Sequence, residues 1–207
     1  MPTKPEILKR RDLCASRLFR VEELELRFSN GVERTYERLR SGLGGAVIIV
    51  PLLNDEEFVL VREYGAGVED YQLVLPKGKV EPDEDFCEAA DRELMEEAGY
   101  GARSLLDLRS LTLAPTYMSH QTTLVLARDL YPERLAGDEP ESPEVVPWRM
   151  DKLHELILRE DFSEEEPRAR APVDQVLFHL EVGNAVAQQA ADPVALLEHR
   201  HRMPGAA

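Results

Sequence analysis

A chain of 207 residues holds one well-cored domain with room for a small appendage, but not two full ones. Its apolar fraction of 43% and charged fraction of 31% are those of an ordinary globular protein, and no run approaches the roughly 20 apolar residues of a membrane span. A formal charge of −15 disfavours nucleic-acid binding, which needs basic surface, and sits awkwardly with a phosphate substrate unless metal ions bridge the two.

The first residues, Met1 to Arg11, are charged and lack a secretory apolar core. Cys14 and Cys87 are too far apart to suggest a disulfide framework or a zinc site, so a cytoplasmic location is the expectation. Residues 1–15 read as a frayed lead-in. From Leu18 the chain alternates apolar and polar as a strand does, Ser29-Asn30-Gly31 is a hairpin turn, and Val32 to Leu39 returns as a second strand. The glycine-rich stretch Ser41 to Gly45 reads as a hinge.

Buried strands are expected at Ala46–Leu53 and Phe58–Arg62, with a shorter one at Gln72–Leu75. Pro76-Lys77-Gly78 opens a loop ending at Asp83, a plausible N-cap for a helix over 84–98 that Gly99 stops. Further strands are expected near Ser104–Leu113 and Thr122–Ala127, then an acidic loop at Leu135–Pro143 and a short segment at Val145–Trp148. Met150–Arg159 and Val173–Gln189 have helical spacing, and the end of the chain is charged. Strands on either side of one central helix predict a mixed α/β domain.

That central helix is electrostatically uncomfortable. At about 100° per residue Glu93 and Glu97 share a face and Glu96 flanks them, while Cys87, Ala90, Leu94 and Ala98 form the apolar stripe. Like charges four apart cost roughly 0.2–0.5 kcal/mol. Carboxylates in a last turn oppose the helix dipole at roughly 0.3–1 kcal/mol each. A hard divalent ion, Mg²⁺ or Mn²⁺, resolves the conflict because it prefers carboxylate oxygen. The competing reading is a solvated acidic face with Arg92 as its partner.

The upstream residues decide between them. Gly78, Glu84, Arg92, Glu93, Leu94, Glu96, Glu97 and Gly99 stand at the spacing G-x5-E-x7-R-E-U-x-E-E-x-G-U, U being aliphatic, and only Tyr100 departs from it. The segment resembles the Nudix box. The resemblance continues in Leu18-Phe-Arg-Val-Glu, Phe28-Ser-Asn-Gly-Val, Tyr36-Glu-Arg, Val61-Arg-Glu-Tyr, Ala114-Pro-Thr-Tyr and Asp129-Leu-Tyr-Pro-Glu, which look like the branch of that family acting on ADP compounds.

What the resemblance implies is specific. The fold is a Nudix α/β/α sandwich around a mixed sheet, with an added antiparallel β-hairpin region at the N-terminus. Glu93 and Glu97 are implied as metal ligands, Glu96 as a further ligand or a water-orienting base, and Gly78 as a turn offering its carbonyl. Glu84 and Arg92 are the supporting pair. The reaction implied is metal-dependent water attack on the diphosphate of ADP-linked compounds (ADP-ribose, NADH or diadenosine triphosphate), releasing AMP. The acidic loop is implied to hold a general base, with Glu141 favoured over Glu139 by position. Tyr36 could stack on adenine and Arg38, Arg40 or Arg62 meet phosphate, though each also reads as an ordinary strand or surface residue. Pro115 stands 16 residues after Gly99, where ADP-ribose-cleaving relatives carry a proline. Gly65 stands where many of those relatives have arginine, which suits a broader substrate range.

The resemblance also implies a homodimer built partly by the N-terminal region, while the charge and the lack of a long apolar run lead to no nucleic-acid or membrane partner being expected. The division expected is 1–44 for the hairpin region, 45–182 for the hydrolase domain and 183–207 for a helical or mobile tail. Cys87 reads as a core residue, His199 and His201 as tail, and His120 has no assignment. Two rivals stand beside this reading: hydrolysis of another nucleoside di- or triphosphate, and a non-catalytic sensor of ADP-ribose or a dinucleotide. Survival of every box glutamate argues against the sensor.

Overall fold

A computed structural model describes residues 3–42, 44–112, 114–137 and 139–163. The helix expected at Val173–Gln189, the tail and His199 and His201 lie outside the described residues.

The chain opens with a three-stranded antiparallel sheet of β1 (Glu6–Ala15), β2 (Arg20–Arg27) and β3 (Glu33–Arg40), with β2 in the middle. The expectation of a frayed lead-in is corrected here, because residues 6–15 are a full strand. Its side chains are exposed throughout, and bulges near Leu8 and Leu13 break the alternation that would have revealed it. Main-chain pairing holds it to β2, with cross-strand pairs Arg11–Glu23 at 2.9 Å and Lys9–Glu25 at 3.6 Å.

The segment after β3 is anchored where the sequence suggested a hinge. The Leu39 amide donates to the Tyr117 carbonyl (2.7 Å), the Ser119 amide donates to Leu39 (3.0 Å), and the Ser41 amide donates to Ser119 Oγ (3.0 Å). His120 Nδ1 lies 3.3 Å from Ser41 Oγ, so the unassigned histidine belongs to this joint. At Gly44, with φ at +103°, a Cβ would stand 2.7 Å from the Val80 carbonyl oxygen, so only glycine fits.

The main body has two sheets. One runs β7 (Lys77–Lys79), β4 (Ala46–Pro51), β9 (Gln121–Pro132), β8 (Tyr100–Thr112), and is mixed because β4 and β9 are parallel. The other runs β10 (Glu144–Arg149), β5 (Glu57–Gly65), β6 (Asp70–Val74) and is antiparallel. The loop expected at Pro76–Gly78 is therefore partly strand, with Gly78 opposite Val47.

Strands β4, β5 and β9 are apolar at successive positions because both of their faces are covered. Val47, Ile49, Val59, Val61, Val125 and Ala127 pack with Ala89, Ala90, Leu94 and Ala98 of the box helix. Their neighbours Ile48, Val50, Leu60, Leu124 and Leu126 pack on the other side with Leu156 and Phe162. Leu156 comes from the short helix α2 (Leu153–Ile157), which follows a 3₁₀ turn at Met150–Lys152, so the helix expected over Met150–Arg159 is present but shorter. Helix, sheet and helix thus form the expected layers.

Helix α1 (Phe86–Glu93) starts later than expected. Asp83 is not its N-cap; with φ at +70° it sits in the turn before the helix. Asp85 caps instead, accepting from the Cys87 and Glu88 amides while Glu88 accepts from the Asp85 amide. The α geometry gives way at Leu94–Ala98 to a π-helical turn, closed by the Gly99 amide on the Leu94 carbonyl.

Leu156 is fully buried and Leu158, two residues on, is 82% exposed. Leu156→Ala is expected to cost about 2–5 kcal/mol in urea unfolding, and Leu158→Ala under about 0.5 kcal/mol. Equal effects of the two would mean that α2 does not close the far layer.

Candidate active site

The site is built where α1 and its π turn meet the strand β7. Arg92 holds it together. Its Nε and Nη2 donate to the two Glu84 oxygens at 2.7 and 3.0 Å, and Nη2 also donates to the Lys79 carbonyl at 2.9 Å. Its Nη1 donates to Glu93 at 2.8 Å and to Glu96 at 3.2 Å. Glu84 in turn accepts from the Glu81 amide at 3.0 Å. Arg92's hydrogen bonds hold the Glu84 carboxyl below its ordinary range, and Glu84's hydrogen bonds raise Arg92 further above its own.

Glu93 is 8% exposed and Glu97 3%. Burial raises the Glu93 carboxyl, against the pull of Arg92. Burial also pushes Glu97 up to about 8; Lys77 opposes this, while Glu63 and Glu93 add to it. Glu97 accepts from the Lys77 amide at 3.1 Å, and the Lys77 ammonium pairs closely with Glu63. The Glu93 carboxyl group occupies the space a Cβ on Gly78 would need, at 1.9–2.2 Å. Any side chain at position 78 would evict it.

Glu63, Glu84, Glu93, Glu96 and Glu97 are five carboxylates served by two cations, Arg92 and Lys77. Such an excess of hard oxygen donors, two buried and three half-buried, fits a divalent cation. Among the described residues no three acidic, thiol or imidazole groups converge into a ready-made cage. Glu93 and Glu96 turn instead to Arg92, so an ion would take them over from its guanidinium.

The acidic loop divides its two glutamates. A Cβ on Gly137 would lie 2.5 Å from Glu139 Oε2 and 3.6 Å from Glu96 Cβ, and the Glu139 charge helps raise Glu93. Glu141 accepts a hydrogen bond from the Tyr71 hydroxyl at 2.9 Å, which raises that phenol. Tyr71 stacks edge-on against Tyr64, ring centroids 5.5 Å apart.

The substrate-contact candidates are spread more widely. Tyr36 is 44% exposed on β3, beside Phe28. Arg38 is held by buried Glu22 at 2.7 Å, and Arg40 lies 3.9 Å from Asp12 on the same sheet. Arg62, on β5 of the antiparallel sheet in the main body, donates to Glu144 at 3.1 Å and Asp161 at 2.9 Å. Pro115 lies in the turn that receives β3, next to Ala114 at φ +41°. Cys87 is half-buried against the core, as its place on the apolar stripe implied.

Sequence reasoning missed Lys77, Glu63, Glu22 and Tyr71. Glu22 was legible: it lies two residues before Leu24, on the inward face of β2, with Arg38 opposite across the hairpin. The Lys77–Glu63 and Tyr71–Glu141 pairs join segments whose proximity no local pattern encodes.

Comparison with known proteins agrees with this geometry. The NUDIX domain matches residues 42–172, and the NudE-type Nudix hydrolase N-terminal domain matches residues 5–38. The chain is 47% identical over 161 residues to the ADP compounds hydrolase NudE of Escherichia coli (strain K12), covering 78% of this chain and 86% of that one. It is 27% identical over 139 residues to the ADP-ribose pyrophosphatase of Bacillus subtilis (strain 168), covering 66% and 73%. A crystal structure of ADP compounds hydrolase superposes with a TM-score of 0.72 at 44% identity, over 86% of this chain and 93% of that chain. With its box helix, its layered sheets and a family match over most of its length, the chain belongs to the Nudix hydrolase family.

Proposed function

We propose that this protein hydrolyses the diphosphate linkage of ADP-containing compounds with the help of Mg²⁺ or Mn²⁺, releasing AMP. The observation that carries the reading is the knot of five carboxylates on two cations, with Glu93 seated on Gly78 and Glu97 buried. The name of the 47% identical relative, ADP compounds hydrolase, supplies the substrate class. ADP-ribose, NADH and diadenosine triphosphate are its candidate members.

Glu93, Glu96, Glu97 and the Gly78 carbonyl would hold the cation. When bound it supplies positive charge to the diphosphate and makes nearby water more acidic. The chain's own residues do the rest. Arg92 and Glu84 hold the helix against strand β7 at Lys79, so the glutamates keep their aim. A loop carboxylate takes the proton from the attacking water. Glu139 lies toward Glu96 and Glu93, while Glu141 is engaged by Tyr71, so geometry favours Glu139 and sequence position favours Glu141.

The N-terminal sheet supports two further readings. Ile7, Leu8, Leu13, Leu18 and Phe19 are exposed apolar residues on one small sheet and its first turn. We propose that a second copy of the chain covers them, and that Tyr36, Arg38 and Arg40 line the nucleotide site from this region (residues 1–44), with 45–182 as the hydrolase domain. Free thiols at Cys14 and Cys87 suit a reducing, cytoplasmic setting. No helix among the described residues is long and apolar enough to cross a membrane. The charge of −15 suits neither a nucleic-acid partner nor an anionic membrane surface.

Three outcomes are expected. First, AMP is released from at least one of the three compounds, and excess chelator abolishes the release. Glu97→Gln lowers turnover at least about a hundredfold. The same variant changes metal-free stability in a defined direction. A carboxyl raised to about 8 in the fold binds more protons folded than unfolded, so its contribution falls as pH rises from the ordinary carboxylate range to about 8. Thermal unfolding of Glu97→Gln in chelator is therefore expected to gain on the parent across that window. Parental turnover in Glu97→Gln would refute the site; no AMP from any compound would favour another nucleotide substrate or the sensor reading.

Second, Glu139→Gln and Glu141→Gln are compared by single-turnover rate. The base is the one whose loss costs about 10² or more with metal binding intact, and two normal rates would remove the loop from the chemistry. Third, light scattering is expected to give one species of twice the 23.5 kDa chain mass. A monomer at micromolar concentration would leave these exposed apolar residues without their proposed cover.

A further inference from the structure

The π turn at Leu94–Ala98 leaves carbonyls at its C-terminal end that the helix cannot satisfy itself. Three consecutive residues after β9 supply donors to this end. The Glu133 amide donates to the Gly99 carbonyl at 3.2 Å, and the Leu135 amide donates to Met95 at 3.2 Å. Between them the Arg134 side chain donates through Nη1 to the Glu96 carbonyl at 3.3 Å. Its guanidinium lies over Gly99, where a Cβ would stand 2.8 Å from Nη2, 2.9 Å from Nε and 3.0 Å from Cζ. A cation here also opposes the negative end of the helix dipole, which three glutamates otherwise aggravate.

We propose that Arg134 is a positioning residue: seated on Gly99 and bonded to the Glu96 carbonyl, it fixes the π turn that aims Glu96 and Glu97. The same three hydrogen bonds tie that turn to the chain entering the acidic loop, so the helix and the loop share one anchor. Gly99 then has two reasons to be glycine. Its φ of +72° is left-handed, and its bare α-carbon leaves room for the guanidinium. An added methyl would push the exposed arginine side chain away from the Glu96 carbonyl. Gly99→Ala and Arg134→Ala therefore remove one and the same contact.

The inference rests on the reading that the box glutamates hold the cation, and the test separates the two. Full-length parent, Arg134→Ala, Arg134→Lys, Gly99→Ala, the Gly99→Ala/Arg134→Ala double variant and Glu97→Gln are compared by kcat, KM and Mn²⁺ binding measured by paramagnetic resonance. Loss of one hydrogen bond and one dipole-opposing charge predicts that Arg134→Ala lowers kcat and Mn²⁺ affinity roughly three- to tenfold, with KM within about twofold. Arg134→Lys, which keeps the cation, recovers at least half of the loss. The double variant matches Gly99→Ala within about twofold, because the contact is lost only once. Parental kcat and Mn²⁺ affinity in Arg134→Ala, or fully additive losses in the double variant, would overturn the role while Glu97→Gln remains inactive. An active Glu97→Gln would instead sink the metal-site reading beneath it.

Discussion

The site depends on one guanidinium. Arg92 reaches Glu84 before the helix, Glu93 and Glu96 within it, and the Lys79 carbonyl on the strand beside it. A lysine could not replace it, since a single ammonium lacks the planar fork that spans four partners in fixed directions. Without this cross-link the pre-helix loop would be tied to the helix at the Asp85 cap and otherwise by apolar packing, which tolerates small slides. The hydrogen bonds do not, so the glutamates keep fixed places relative to Gly78 and β7.

That rigidity concentrates negative charge where water is scarce. Burial raises both Glu93 and Glu97, and Glu97 reaches about 8 although Lys77 stands beside it. A carboxyl in this condition gains when a cation arrives, because the cation removes the cost of ionising it. The same arrangement weakens the metal-free fold at neutral pH. The two effects have one origin, and an ion bound at the proposed site would recover the stability given up there. The core supplies the margin: three strands buried on both faces between α1 and α2.

Much of this was legible in the sequence, for a reason that differs by residue. Glu84, Arg92, Glu93, Glu96 and Glu97 lie within one short segment, so their spacing alone brings them together. The apolar runs of β4 and β5 are unambiguous because both faces are buried. The expected helix start is misplaced because it rests on Asp83, a capping residue type just after Pro82, and passes over the capping-box spacing of Asp85 and Glu88. Strand β1 was missed because its side chains face solvent and its bonds are main-chain bonds to β2, which leave no trace in residue type. The π turn was invisible for a related cause. Leu94–Ala98 has the composition of an α-helix, and what widens it is the closing bond from Gly99 to Leu94. Pairs such as Lys77–Glu63 and Tyr71–Glu141 exist only once the sheets have formed.

The two glycines of the box are best understood together. Both are needed for what comes near them as much as for their own backbone. Gly78 gives up its side chain so that the Glu93 carboxyl can lie against β7, and Gly99 gives up its own so that the Arg134 guanidinium can lie against the π turn. One admits a negative group at the strand, the other a positive group at the helix end. Between these two bare positions the helix is held at its start by Asp85, along its length by Arg92 and at its end by residues 133–135. A segment fastened at three points can carry three glutamates that local energetics disfavour. It follows that the spacing of the motif reflects the distance between fastenings as well as the positions of its glutamates.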